Sequence, residues 1–261
     1  MDRNGRTLAL LCASALICLG LASQASVAAA TTTEVVADPT LPGLAVNGAV
    51  FISEGKGGGF ARCSGTSVNA PNMSVVVTAG HCVYEEGHFY DRKWVFVPGY
   101  RYGERPFGTF RARWLGTTPQ WQASQNFNYD VGMAVVGRNE RGQRLSAAVG
   151  GDEIAWGLPP RQSFDVYGYP VARPFTGATL ERCLQAPLLG HDYESFFSPG
   201  PLDLGVSCEV SPGSSGGGWA IHGNVINGVT SNGYGDDPGT DYGPYFGKDV
   251  GRLYRRAAGI R

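Results

Sequence analysis

Short apolar runs punctuated by glycine, proline and asparagine dominate the chain. Val75–Thr78, Trp94–Val97, Val131–Val136, Phe164–Tyr167 and Val225–Thr230 are rich in β-branched and aromatic side chains, which predicts short strands closed off by turns. With Gly 39 and Pro 16 in the composition, many such strands point to an all-β sandwich or barrel, and periodicity does not choose between the two. One stretch departs from this pattern. Val250, Leu253, Tyr254 and Ala257 recur at helical spacing, with Arg252, Arg255 and Arg256 between them. They predict a short C-terminal helix over about 249–258, its apolar face on the second half of the molecule and its arginines in solvent. Thr31 to Leu44 has no apolar periodicity and reads as a short leader or pro-region without structure of its own. The polar, glycine-flanked run from Gly137 to Gly151 reads as a connection.

Residues 1–30 form a separate unit. Arg3 and Arg6 precede an apolar run from Leu8 to Leu21, and small residues end at Ala28-Ala29-Ala30. This is the pattern of a signal peptide, with cleavage expected before Thr31, so the mature chain is expected to be secreted, extracellular and free of the membrane. Cys12 and Cys18 leave with it. Cys63, Cys82, Cys183 and Cys208 remain, an even number that favours disulfides in an exported chain and allows three pairings. Zinc is not expected, because no Cys-x-x-Cys spacing occurs. Lys+Arg 21 against Asp+Glu 22 leaves no charge excess with which to bind nucleic acid or an anionic membrane.

The chemistry concentrates in Pro212-Gly213-Ser214-Ser215-Gly216-Gly217-Gly218-Trp219. A serine hydroxyl is a weak nucleophile that needs a neighbouring base and donors for the oxyanion it creates. Glycines let main-chain N–H groups converge on one point. Upstream lie Val75-Val76-Val77-Thr78-Ala79-Gly80-His81-Cys82 and Asn128-Tyr129-Asp130-Val131-Gly132-Met133-Ala134-Val135-Val136. Together, in the order His81, Asp130, Ser215, these segments resemble the trypsin/chymotrypsin superfamily of serine proteases. Cys63-Ser64-Gly65-Thr66, Phe96-Val97-Pro98-Gly99-Tyr100 and Gly213–Gly217 bring the likeness closest to secreted bacterial V8-like or trypsin-like peptidases of the actinobacterial kind. The resemblance runs from about Val46 to Tyr254.

That resemblance implies two six-stranded antiparallel β-barrels packed side by side. The first spans about 46–136 and the second about 155–247, within a peptidase domain over 45–261. It implies a catalytic triad of Ser215, His81 and Asp130, an oxyanion hole from the backbone N–H groups of Gly213 and Ser215, a protein or peptide substrate and no cofactor or metal. A monomer is expected. Local pairing of the cysteines, Cys63 with Cys82 and Cys183 with Cys208, matches the family at the first bridge, which braces the histidine. His88, His191 and His222 have no comparable setting. Asp91 is the rival to Asp130, and Ser214 the rival to Ser215.

Three departures concern the nucleophile loop and the substrate pocket. Where animal relatives carry an aspartate just before the nucleophile, this chain has Ser214, so other contacts must hold the loop. Glu209 stands where trypsin-like relatives keep a pocket acid, yet Ser211 replaces the cysteine expected beside it. Thr230 stands where glutamyl-specific relatives keep a histidine. Thr230, Ser231 and Gly233 are expected to face substrate. A catalytically silent binding module and an esterase using the same triad remain open alternatives.

Overall fold

The computed structural model describes residues 31–53, 60–90, 94–209 and 212–261. The expected signal peptide, with Cys12 and Cys18, lies outside the described residues, as do Asp91 and Ser211. The first half is a closed antiparallel barrel. Its strands, in order around the barrel, are Asn47–Ser53, Phe60–Val68, Val75–Thr78, Gly132–Val136, Phe110–Thr117 and Trp94–Pro98, and the last returns to the first.

The second half is a sheet in which Val225–Val229, Gly218–Ile221, Ser163–Gly168, Glu181–His191, Leu204–Ser207, Asp237–Gly243 and Asn232–Tyr234 follow one another. Val225–Val229 and Asn232–Tyr234 are two pieces of one run, broken only at Thr230-Ser231, where Ser231 N donates to Tyr242 O. The path therefore turns back on itself, and six runs of chain enclose a second core. Glu153–Ile154 adds a short parallel pair at one edge.

Side-chain alternation explains the paired architecture. Val76 points into the first barrel, beside Val50, Phe96 and Ala134, while Val75 and Val77 point outward into a separate core shared with Tyr167, Ile226 and Val229 of the second half. Met133 and Val135 do the same on the neighbouring strand. Strands buried on both faces read as unbroken apolar runs, because successive side chains leave opposite sides of the backbone. A third core, built on Phe164, Leu204 and Trp219, fills the second barrel.

Two expectations change. The C-terminal helix, Lys248–Ala258, buries Val250, Leu253 and Ala257 as its spacing predicts, but it packs against Phe110–Thr117 and Gly132–Val136 of the first barrel. Asn72 Nδ2 donates to Ala257 O and Ile260 O, and Tyr254 Oη to Asn69 O, which fastens it there. Sequence periodicity gives a buried face and not its partner. The segment 31–44, expected to lack structure, carries the strand Glu34–Val35 paired with Glu181–His191, and Val36 is buried in the shared core. A two-residue strand is too short for periodicity to register. Both expected disulfides form, Cys63–Cys82 and Cys183–Cys208. No helix among the described residues is long and apolar enough to cross a membrane.

Candidate active site

His81 follows the Val75–Thr78 strand and Asp130 precedes the Gly132–Val136 strand. Thr78 pairs with Gly132, so the two side chains emerge at the same barrel end. Gly80 admits the carboxylate between them. A Cβ at that position would lie 2.7 Å from Asp130 Oδ1 and 2.9 Å from Trp121. Asp130 is fully buried, and its charge is met by three contacts. Oδ1 accepts from His81 N at 2.7 Å, Oδ2 accepts from Ser231 Oγ at 2.6 Å, and Oδ2 faces His81 Nδ1 at 2.8 Å. A carboxylate there obliges Nδ1 to carry the proton, which leaves Nε2 as the basic nitrogen. Burial alone would push the imidazole down. The charge and hydrogen bond of Asp130, with a smaller contribution from Glu85, outweigh it and hold His81 above the ordinary histidine value.

Ser215 sits half-buried in a loop held by close packing. Ser64 N donates to Ser215 O at 2.7 Å, Ser64 Oγ to Gly213 O at 2.8 Å, and Tyr169 N to Ser64 Oγ at 2.9 Å. Gly216 N donates to Thr230 O, Gly217 N to Ser214 O, and Thr230 N to Gly217 O. Gly216 has φ +81, and a Cβ there would run into Thr78 Oγ1 and stand 2.6 Å from Ser64 O. These contacts hold the loop without a charge at position 214. Ser214 itself is buried, with no partner for its hydroxyl among the described residues. Among the same residues, the N–H groups of Gly213 and Ser215 donate to no internal acceptor, and Ser215 Oγ has no hydrogen bond to His81.

Ser215 opens on a cavity of about 510 Å³ that Glu209, Thr230, Ser231 and Gly233 also line. His81 and Ser231 line an adjoining one of about 290 Å³ with Trp121 and Phe127. The expected substrate-facing residues differ in orientation. Glu209 is exposed at the rim, where its carbonyl accepts from Thr33 Oγ1. The Ser231 hydroxyl is turned to Asp130. Thr230 Oγ1 accepts from Trp219 Nε1 at 3.0 Å and donates to Asp241 Oδ2 at 2.7 Å.

Asp241, 2% exposed, lines the same cavity as Ser215, and burial raises its carboxyl well above the usual range. Nothing in the sequence singled it out. An acid at an inward position of a strand would have been the signal, but the strand Asp237–Gly243 is too rich in glycine and polar residues to be read as one from sequence. A second unforeseen acid, Asp203, is fully buried, with neither oxygen partnered among the described residues. Burial first, then the nearby charges of Asp192 and Asp130, raise it to about 8. Among the described residues, the one cluster with metal-ligand spacing is Cys63, His81 and Cys82, and its two sulfurs are joined in a disulfide and are not thiolates.

No family model matches the chain. Among solved structures it is similar to the protease Anisep from Arthrobacter nicotinovorans, with 33% identity over 88% of this chain and 100% of that one and a TM-score of 0.77. It is also similar to the thermostable serine protease AL20 from an extremophilic microorganism, with 33% identity over 83% of this chain and 98% of that one and a TM-score of 0.74. A 70-residue stretch is 39% identical to an extracellular metalloprotease of Bacillus subtilis (strain 168). That match covers 27% of this chain and 21% of the length of the Bacillus protein.

Proposed function

The chain belongs to the trypsin/chymotrypsin superfamily of serine proteases, and from that premise we propose that it is a secreted endopeptidase acting through Ser215, His81 and Asp130. The observation that carries the reading is Asp130, fully buried and bonded at once to the His81 ring, the His81 backbone and Ser231. Burial of a carboxylate is costly unless it is hydrogen-bonded and paired, and each of these contacts serves that end. An orienting acid that fixes the basic nitrogen of His81 is the use the chemistry gives it. The signal-peptide pattern of residues 1–30 and two disulfides support export.

In the acylation step Ser215 Oγ bonds to the scissile carbonyl carbon as its proton passes to His81 Nε2. The oxyanion is met by the N–H groups of Gly213 and Ser215. Collapse breaks the C–N bond, and Nε2 returns the proton to the leaving amine. Water then repeats the sequence on the ester, releasing the acid and restoring Ser215. The Ser215–His81 contact closes when substrate is bound, because such contacts are often loose in the free enzyme. For specificity, Asp241 outranks Glu209. A buried carboxyl lining the cavity on which Ser215 opens ionises at least cost when a cation enters it, so lysine or arginine before the cleaved bond is the expected preference.

Cleavage of a diverse peptide library by the secreted protein tests both statements. Cuts that vanish in Ser215→Ala, follow basic residues and lose that preference in Asp241→Asn support the reading. A preference that disappears in Glu209→Gln instead returns the role to the rim. Absence of amide cleavage with turnover of simple esters would favour an esterase, and no turnover of either a binding module.

A further inference from the structure

A cleft of about 800 Å³ lies away from the triad, between the C-terminal helix and the far ends of the strands next to His81 and Asp130. Arg113, Arg138, Arg144, Arg255 and Arg261 line it, and no aspartate or glutamate side chain does. They come from separate parts of the chain: Arg113 from an outward position of Phe110–Thr117, Arg138 and Arg144 from the connection after Val136, and the other two from the helix and the residues after it. None of the five forms an ion pair among the described residues. Arg138 and Arg144 each donate to a backbone carbonyl, of Gly142 and Asn72, and Arg255 lies 5.7 Å over Trp156. A guanidinium has five N–H donors, so most remain available. The whole chain carries a net charge of −1, so this concentration is local and does not reflect general basicity.

We propose that this cleft binds an acidic segment of a polypeptide substrate, outside the catalytic pocket. Like-charged guanidinium groups gathered with no aspartate or glutamate among them repel one another, and carboxylates relieve that repulsion while matching the planar fork of arginine. The cleft also has apolar walls, from Pro71, Tyr254 and Ile260 beside Val135 and Val136. A surface mixing cations with apolar groups suits a peptide that carries carboxylates and hydrocarbon side chains better than a uniformly charged polymer. The strand Gly132–Val136 runs from the triad to the cleft, about 17 Å at ~3.3 Å per residue. Because that strand is buried, a substrate passes over the surface instead, and at least about five or six extended residues are needed to span the distance. The word "substrate" rests on the peptidase reading, whereas binding does not.

The test uses the full chain with Ser215→Ala and a fluorescein-labelled peptide of alternating glutamate and leucine, followed by fluorescence anisotropy. Saturable binding is expected, weakened about two- to thirtyfold in Arg113→Gln/Arg144→Gln and largely lost in 1 M salt, where screening shortens the reach of charge to about 3 Å. Asp241→Asn should leave it unchanged, and thermal melts confirm that each variant is folded. Arg113→Gln alone, on an exposed strand position, is the second variant. No saturable binding, equal binding of a lysine–leucine peptide, or insensitivity to the arginine changes would overturn the proposal. Tighter binding of dextran sulfate at equal charge would overturn the choice of a polypeptide. In the active protein, a cleavable peptide joined to an acidic segment should show a KM about tenfold lower than the same peptide without it, with kcat unchanged. An unchanged KM overturns the substrate role. No turnover with binding intact is failure of the peptidase reading instead.

Discussion

The two halves of the site are held by different physics. On the first barrel, His81 is oriented by polar contacts that converge on one buried carboxylate, with Ser231 reaching across from the second half to complete them. On the second, the loop around Ser215 is held by packing and main-chain bonds, with Gly216 pressed against Thr78 and Ser64 pinning the Gly213 carbonyl. The difference fits the proposed tasks. A general base needs its tautomer fixed, which takes a charge. An oxyanion hole needs N–H groups left without internal partners, and neighbours that position a backbone without consuming those donors serve it best.

Substitutions sharpen that contrast. Asp130→Asn keeps the shape and removes the charge, and should lower kcat by about ten-thousand-fold, the magnitude associated with this superfamily's triad, with little change in KM in steady-state assays. Gly216→Ala should cost at least 1–3 kcal/mol by forced overlap and a disfavoured φ, seen as a lower denaturation midpoint together with lost activity. Ser64→Ala leaves the Gly213 carbonyl and the Tyr169 N–H without their partner, for about 1–3 kcal/mol of stability, and should lower kcat while sparing the pH profile.

The smallest effect concerns Asp203. Its folded value of about 8 lies above the unfolded value of 3.8. The folded state therefore holds more protons between those limits, and stability from this group is present below pH 3.8 and lost as pH rises toward 8. Asp203→Asn should flatten that decline, raising the melting temperature at pH 8 more than at pH 4. A shift equal at both pH values would show that the carboxyl does not titrate there.

Much of this was legible in the sequence, for reasons tied to particular residues. Val75-Val76-Val77 announces a strand buried on both faces, and the segments around His81, Asp130 and Ser215 carry their chemistry locally. What was not legible depends on pairing across the chain. Ser231 was expected to face substrate, and only the fold brings its hydroxyl to Asp130, 101 residues away. Asp241 lies in a glycine-rich strand whose burial comes from its neighbours, and Ser64 bonds to residues of the second half. The C-terminal helix advertised its buried face but not the barrel that covers it. The run of 31–44 showed no pattern because a two-residue strand has none.

The most direct test of the central claim is the rate of covalent labelling by a fluorophosphonate as a function of pH, with the adduct located by mass spectrometry. In the proposed mechanism neutral His81 is the active form, and Asp130 raises its value above 6.5. Labelling should therefore fall on Ser215 alone, rise through an acid limb centred above pH 6.5, and in Asp130→Asn be slower with that limb moved to lower pH. An adduct on another residue, no adduct, or a limb unchanged by Asp130→Asn would contradict the account.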